Sequence, residues 1–463
     1  MRFSASGLFF EFCRFAERFS ASGECNSPLH NAGNFTVTGR GVLHTPYQPI
    51  VLRSRILKLN PTKFISLFIL TMLWGCGGAD APVDQDYRSM QWSQIVEEGS
   101  RSEVQMMMWQ GDPLINAFMQ DYVVPAVKER YGIELSIANG QGNTIVSILA
   151  AELEAGKGRS EIDMMWINGE TFYQLKQIKA LYGPFADLLP SSQYVNQDDR
   201  FINTDFQQPV NGMEAPWGSV QQAWIYNSQM VDSPPRTMAE LAAWVQANPG
   251  QFTIPNEFTG MSILKALLME LAGGAEALGG AFDEDVYNTY APQLWEYLNS
   301  IKPHFWKQGE TFPAQLSAMH QMFASGELAF TMSMNDSEVD NKVLQGLFPE
   351  TSRAYVPDFG SIRNSHYLGI SRLAGSKAGA MLVIDFLSSP EAQLHKQDPS
   401  VWGDGTVLDV EKLPQDIRTK FDSLPTRKLA PTREDMIPRA LPEPDPEYMI
   451  RISKDFRRFV IEA

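Results

Sequence analysis

From Val104 to Ile167 the chain alternates short apolar runs with helical stretches in a strict order, and that order admits few folds. Val104–Trp109 (VQMMMW) is an apolar run of strand length. Gly111-Asp112-Pro113 follows, with Asp placed to cap a helix and Pro suited to its first turn. Leu114, Phe118, Tyr122, Val123 and Val127 carry that helix to a stop at Tyr131-Gly132. Ile133–Ala138 reads as a second strand. Gly140-Gln141-Gly142-Asn143-Thr144 turns into a second helix, whose Ile145, Ile148, Leu149 and Leu153 recur at helical spacing. Gly156-Lys157-Gly158 ends it, and Ile162–Ile167 is the third strand. This βαβαβ order calls for a parallel sheet with right-handed crossovers. The loops near Gly111, Gly142 and Asn168 then emerge at one sheet edge, where open α/β sheets hold ligands. Two of them expose helix N-termini, which suit polar or anionic atoms, although ordinary capping explains the same residues.

The third strand runs into Trp166-Ile167-Asn168-Gly169-Glu170. Side chains alternate along a strand, so Trp166 and Asn168 leave one face, and Glu170 follows at a glycine-assisted turn. An aromatic face, an amide and a carboxylate would thus enter the crevice together; a core strand with an Asn-Gly turn is the plainer reading of the same residues. Trp109, Trp217 and Trp402 also stand at predicted strand ends or loops, where aromatic walls can hold organic ligands. Trp244, Trp295 and Trp306 fall in predicted helices and are assigned to the core. Met106–Met108 is read as core, since Met fills irregular gaps.

At 463 residues, with 44% hydrophobic, the chain is long enough for more than one compact unit. A net charge of −16 disfavours nucleic-acid binding. Near the N-terminus, Arg53, Arg55, Lys58 and Lys63 precede the apolar run Phe64–Leu73, which is short for a membrane span and fits a secretory signal peptide. Leu73-Trp74-Gly75-Cys76 is similar to a bacterial lipobox, with Trp74 its departure from the pattern. Cys76 would be the lipidated first residue; a non-cleaved signal anchor is the alternative. Residues 1–50 are read as a leader from a mis-called start, 51–75 as the signal peptide and 76–99 as a tether. Cys13 and Cys25 lie in that leader, so the mature chain would hold no disulfide or cysteine-based site.

Farther along, Val220–Tyr226 and Asn227, Phe252–Pro255, Leu328–Met334 and His366–Ser371 read as strands. Helices are expected at Met238–Gln246, Met261–Leu271, 281–308, Phe312–Ser325, Ala378–Ser388 (stopped by Pro390) and from about Glu447 to Ile461. Three blocks occur in a telling order: Pro216–Asn227, GELAFTMSMND ending in Asn335-Asp336, and AxxxIDFLSSPEAQ. In that order, over nearly all of 100–463, the chain resembles the periplasmic solute-binding proteins of ABC importers. WINGETF and VWGDGTV look most like the YnjB-like subgroup, near the thiamine, polyamine and iron binders.

The resemblance implies a type II-like fold, α/β, with two lobes, each a mainly parallel sheet flanked by helices, and a ligand cleft between them. Lobe one would be 100–215 plus 330–395, and lobe two 216–329 plus 396–463. Hinge closure would trap a small molecule and present it, as a monomer, to a permease in the inner membrane. Candidate ligand contacts are Trp109, Gly111, Asp112, Gly142, Asn143, Trp166, Asn168, Glu170, Trp217, Thr259, Asn335, Asp336 and Trp402. Trp and carboxylate content favours a cationic or aromatic organic ligand; the helix N-termini leave an oxyanion open.

Two other classes stand beside this one. A secreted or lipid-anchored hydrolase could use a carboxylate pair from Glu170, Asp336 and Asp404. The six His include no H-E-x-x-H, and neither G-x-S-x-G nor a P-loop occurs, so no metal, cofactor or serine nucleophile is expected. A lipoprotein adaptor without a small ligand is the third class.

Overall fold

The computed structural model describes residues 86–463. The expected leader, signal peptide, Cys76 and the tether as far as residue 85 lie outside the described residues. The tether is shorter than expected: Trp92–Gly99 is a helix. A Cβ on Gly99 would come within 2.7 Å of the Ala378 backbone, so that helix packs closely on Lys377–Leu387.

The strands are β1 (Glu103–Met108), β2 (Glu134–Asn139), β3 (Met164–Ile167), β4 (Leu181–Tyr182), β5 (Thr204–Asp205), β6 (Gln208–Pro209), β7 (Ala215–Gln221), β8 (Ala223–Asn227), β9 (Phe330–Ser333), β10 (Ser352–Tyr355), β11 (Ser361–Ser371) and β12 (Ala440–Leu441). β2, β1 and β3 are parallel neighbours, as the βαβαβ order requires. β11 extends this sheet antiparallel to β3, and β7 lies antiparallel to β11. β10, β8 and β9 form a separate sheet with both pairings antiparallel. The mainly parallel sheet expected of each lobe therefore holds for the strands 103–167 and not for the smaller sheet.

The large and small sheets carry separate cores. Met106, Phe118, Met164, Leu368, Met381 and Trp402 belong to one; Trp224, Leu264, Leu294, Phe330 and Phe456 belong to the other. Between β7 and β8 stands Gln222, fully buried, whose N–H donates to Ile362 O at 2.9 Å. What reads from sequence as one strand, Val220–Tyr226, is thus two strands in two sheets. The chain returns to the large sheet through β11 and to the smaller lobe's packing by Leu429, beside Ala354 and Met436.

These memberships move the expected boundaries. Phe330–Ser333 hydrogen-bonds to β8, so residues from 330 to the start of β11 go with the smaller lobe. Trp402 packs in the large sheet's core, and Leu408 and Phe421 pack with Val195 and Ile202, so 396–421 goes with the larger one.

Local differences have local causes. Phe252–Pro255 forms no strand; Phe252 and Ile254 pack directly into the small-lobe core. Pro390 does not only stop a helix: with Ser389 as cap it starts another, Pro390–Gln397.

Candidate functional site

Three loops leave the carboxyl ends of β1, β3 and β2 side by side. In the first, the half-buried Trp109 lays its indole against Gly111, where a Cβ would sit 2.2 Å from the ring. Asp112 caps the helix that follows, accepting from Leu114 N at 2.7 Å. Its other oxygen receives Lys342 Nζ at 3.0 Å. Lys342 stands on the helix Glu338–Leu344, after β9, and also meets Glu338 at 3.2 Å. Burial would lower the Lys342 ammonium pKa, but Glu338 and Asp112 outweigh it and raise it. Asp112–Lys342 therefore ties one lobe to the other across the cleft. In the second loop Gly142 takes a φ of 46°, and Asn143 begins the next helix, exposed.

The third loop departs from expectation in one respect. Gly169 is not a turn residue but the first residue of the helix Gly169–Gln177, with Asn168 as its cap position. Glycine is needed there because the Phe206 ring lies where a Cβ would be, 1.6 Å from it. Glu170 sits in the first helical turn, half-buried, with Gln174 Nε2 donating to it at 3.2 Å. Burial raises its pKa, against the pull of Lys265 from the other lobe and of Gln174.

Trp166, Trp217 and Trp402 meet, but most of the assembly is core. Trp217 is 0% and Trp402 2% exposed. Trp166 is half-buried and packs edge-on against Trp217 at 5.1 Å and His366 at 4.9 Å. A register shift between His366 and Tyr367 opens β11 there and redirects His366. Behind the rings, Lys396 Nζ meets Asp404 at 2.5 Å and donates to Gly405 O at 2.8 Å. Trp217 and Trp402 thus back the cleft rather than line it.

The candidates from the other lobe are also largely committed. Thr259 is buried; its N–H donates to Glu257 and its carbonyl accepts from Gln222 at 2.7 Å. Asp336 is buried between Arg433, bidentate at 2.9 and 3.1 Å, and Arg427 at 3.1 Å. Asn335 donates to Trp402 O at 3.2 Å. These residues fasten the loop 402–405 to the small lobe and leave no free carboxylate at Asp336.

Residues 122–417 match the family described as bacterial extracellular solute-binding protein. Protein YnjB of Escherichia coli (strain K12) is 33% identical over 345 residues, 73% of this chain and 88% of that one. The chain belongs to the bacterial extracellular solute-binding protein family. Among solved structures, the TpPotD lipoprotein of Treponema pallidum has a TM-score of 0.56 at 14% identity, covering 78% of this chain and 100% of its own. A putative spermidine/putrescine ABC transporter from Listeria monocytogenes has a TM-score of 0.55 at 14% identity, covering 78% and 99%. These likenesses establish the fold as that of two-lobed periplasmic binding proteins.

A member of this family is the solute-binding component of an ABC import system, and its place is the periplasm or cell surface. For such a protein the inter-lobe contacts matter most, and several escaped sequence reasoning. Lys342 reaches Asp112, Lys265 acts on Glu170, and His366 packs on Trp166. The i,i+4 pairing of Glu338 with Lys342 was a visible signal, but it reads as a solvated helix face. Lys265 lies in an apolar helix, Phe258–Leu271, where a lone Lys could have been marked as buried and partnered.

Proposed function

We propose that the inter-lobe cleft captures a small organic cation, with Trp166, Asn168 and Glu170 as its contacts in the large lobe. The observation that carries this reading is Glu170: a half-buried carboxylate at a cleft loop, desolvated, with Gln174 as its hydrogen-bond donor. An ammonium group meeting it would replace the water it has lost. Trp166, at the end of the strand that leads into this loop, offers an indole, whose face is of the kind that attracts cations. The oxyanion reading is weaker on the same ground. Of the three helix N-termini at the cleft, the first is capped by the Asp112 carboxylate and the third faces Asp205. The Listeria relative's description names spermidine and putrescine, which are organic cations, and this supports the same class.

Calorimetry with spermidine, thiamine and inorganic phosphate tests it. A cation should bind and phosphate should not. Glu170→Gln should lose about one to two decades of affinity, the worth of a charged hydrogen bond. Trp166→Ala should weaken binding as well. Unchanged affinity in both variants would remove the loop from the site. Collapse of the Trp166→Ala melt with Glu170→Gln silent would return the strand to a core role.

We propose lipidation at Cys76 as a membrane anchor, because a basic and then an apolar segment lead directly into Leu-Trp-Gly-Cys. A fatty-acid analogue should label the wild type and not Cys76→Ser. Equal labelling of both would rule this anchor out.

A further inference from the structure

Among the described residues, most carboxylates at the cleft loops are matched by cations of the chain itself. Asp112 receives Lys342 at 3.0 Å, Asp336 receives Arg433 at 2.9 and 3.1 Å and Arg427 at 3.1 Å, and Asp404 receives Lys396 at 2.5 Å. Glu257 is committed to its own helix, accepting from Thr259 N–H at 2.9 Å. Asp205 and Glu214 are buried, and burial favours the neutral form of both. Glu170 differs. Its hydrogen-bond donor is the neutral Gln174 amide, at 3.2 Å.

Glu443 would be a second free acid without Lys265. This lysine is 0% exposed on the helix Phe258–Leu271, and its Nζ meets the Glu443 carboxylate. Phe206 and Phe258 hold their ring centres 4.8 and 5.2 Å from Nζ, and Met449 Sδ lies 3.9 Å away. A carboxylate beside aromatic faces is a setting in which an organic ammonium is held, and here an ammonium of the chain fills it. Helices Phe258–Leu271 and Gly169–Gln177 both pack on Pro446–Phe456, so Lys265 and Glu170 stand on neighbouring elements. The charge of Lys265 acts on Glu170 through that short space.

We propose, resting on the organic-cation reading of the cleft, that Lys265 is a specificity residue: it neutralises Glu443 from within and so restricts the cleft to solutes with one positive charge. Glu170 balances one ammonium. A second ammonium on the same solute would meet no free carboxylate and would feel the charge of Lys265, and a desolvated charge without a partner is costly. Arg200 and Arg363 line the cavity of about 240 Å³ beside Phe206 and Glu443 and add positive charge on that side.

The test is calorimetry on the full chain with butylamine and putrescine, which share a carbon chain and carry one and two charges at about pH 7. The wild type should bind butylamine about tenfold or more tighter than putrescine. Lys265→Met keeps the apolar stem and frees Glu443, so it should reverse the preference and favour putrescine by about tenfold. Lys265→Met with Glu443→Gln removes both charges and should restore the preference for butylamine. A lysine that served packing alone would give no such reversal and return. The proposal is overturned if the wild type prefers putrescine, a result that needs no variant. It is overturned equally if Lys265→Met, with a normal melt, keeps the wild-type ratio. Should Lys265→Met not fold, Glu443→Gln takes its place: Lys265 then turns its charge on Glu170, butylamine should weaken by about tenfold, and no change would overturn the proposal. Absence of saturable binding by both amines up to about 10 mM overturns it as well, and the thiamine and spermidine titrations then decide whether the organic-cation reading falls with it.

Discussion

Each lobe buries a lysine against a carboxylate and two aromatic rings, yet the two assemblies differ in what surrounds them. In the large lobe Lys396 meets Asp404 at 2.5 Å, with Trp217 and Trp402 at 5.9 and 5.4 Å. His366 Nε2 stands 3.3 Å from the second Asp404 oxygen. In the small lobe Lys265 meets Glu443, with Phe206 and Phe258 at 4.8 and 5.2 Å. The first assembly matches its charges. Burial alone would raise the Asp404 pKa, but Lys396 and His366 overcome it and hold the carboxyl below its usual range. The second has a surplus of acid. Burial and then Glu443 push Asp205 well above the carboxylate range, and burial and then Asp205 do the same to Glu214. A matched buried pair fixes structure; an unmatched one marks a place that wants a proton or a ligand.

The largest effect should come from breaking the matched pair. Lys396→Met leaves Asp404 buried without its ammonium, and removing one partner of such a pair costs about 3–5 kcal/mol. Lys265→Met should cost less, since Asn364 still donates to Glu443 and the neighbouring carboxyls already favour protons. Urea unfolding of both variants measures the difference. Equal losses, or a silent Lys396→Met, would dissolve the distinction between the two assemblies.

That distinction was only half visible in the chain. Strand β1, the cap at Asp112 and the final helix follow from local chemistry, because hydrophobic period and capping residues act within a few positions. The β5–β6 hairpin was not legible: its tip is Phe206-Gln207, without the Gly or Asn that marks such turns, and only packing in the other lobe explains it. The split of Val220–Tyr226 at Gln222 was equally hidden, since both strands are apolar and only the partner strands differ. For the site, the sequence pointed to Trp166, Asn168 and Glu170 in one loop, and the structure adds the opposing Lys265 and Lys342. It could not show that Asp336 is consumed by Arg427 and Arg433, which lie some ninety residues away in sequence. Those are non-local pairings, and periodicity carries no information about them.

The smaller effect sharpens the comparison through pH. Glu214 is 0% exposed, and neither of its oxygens has a hydrogen-bond partner among the described residues. Its pKa is raised by burial first and by Asp205 second, with Lys176 opposing. Asp205 in turn faces Glu443 and Lys265, and Tyr367 feels both carboxyls. A raised folded-state pKa means that the fold keeps a proton the unfolded chain gives up near its ordinary value of about 4.3. The contribution to stability is therefore complete below that pH and is lost as pH rises through the folded-state value. Glu214→Gln cannot ionise, so it should match the wild type at about pH 4 and exceed it at about pH 8, by about 1 kcal/mol. Because Asp205 and Glu214 titrate together, the single variant should flatten the slope only in part, and Glu214→Gln with Asp205→Asn should flatten it further. Asp404→Asn gives the opposite sign: its pKa is lowered, so its contribution is present above the unfolded value and is lost as pH falls. Thermal melts of these variants between about pH 4 and pH 9 read both slopes. If Glu214→Gln keeps the full wild-type slope, the surplus of acid in the second assembly does not exist.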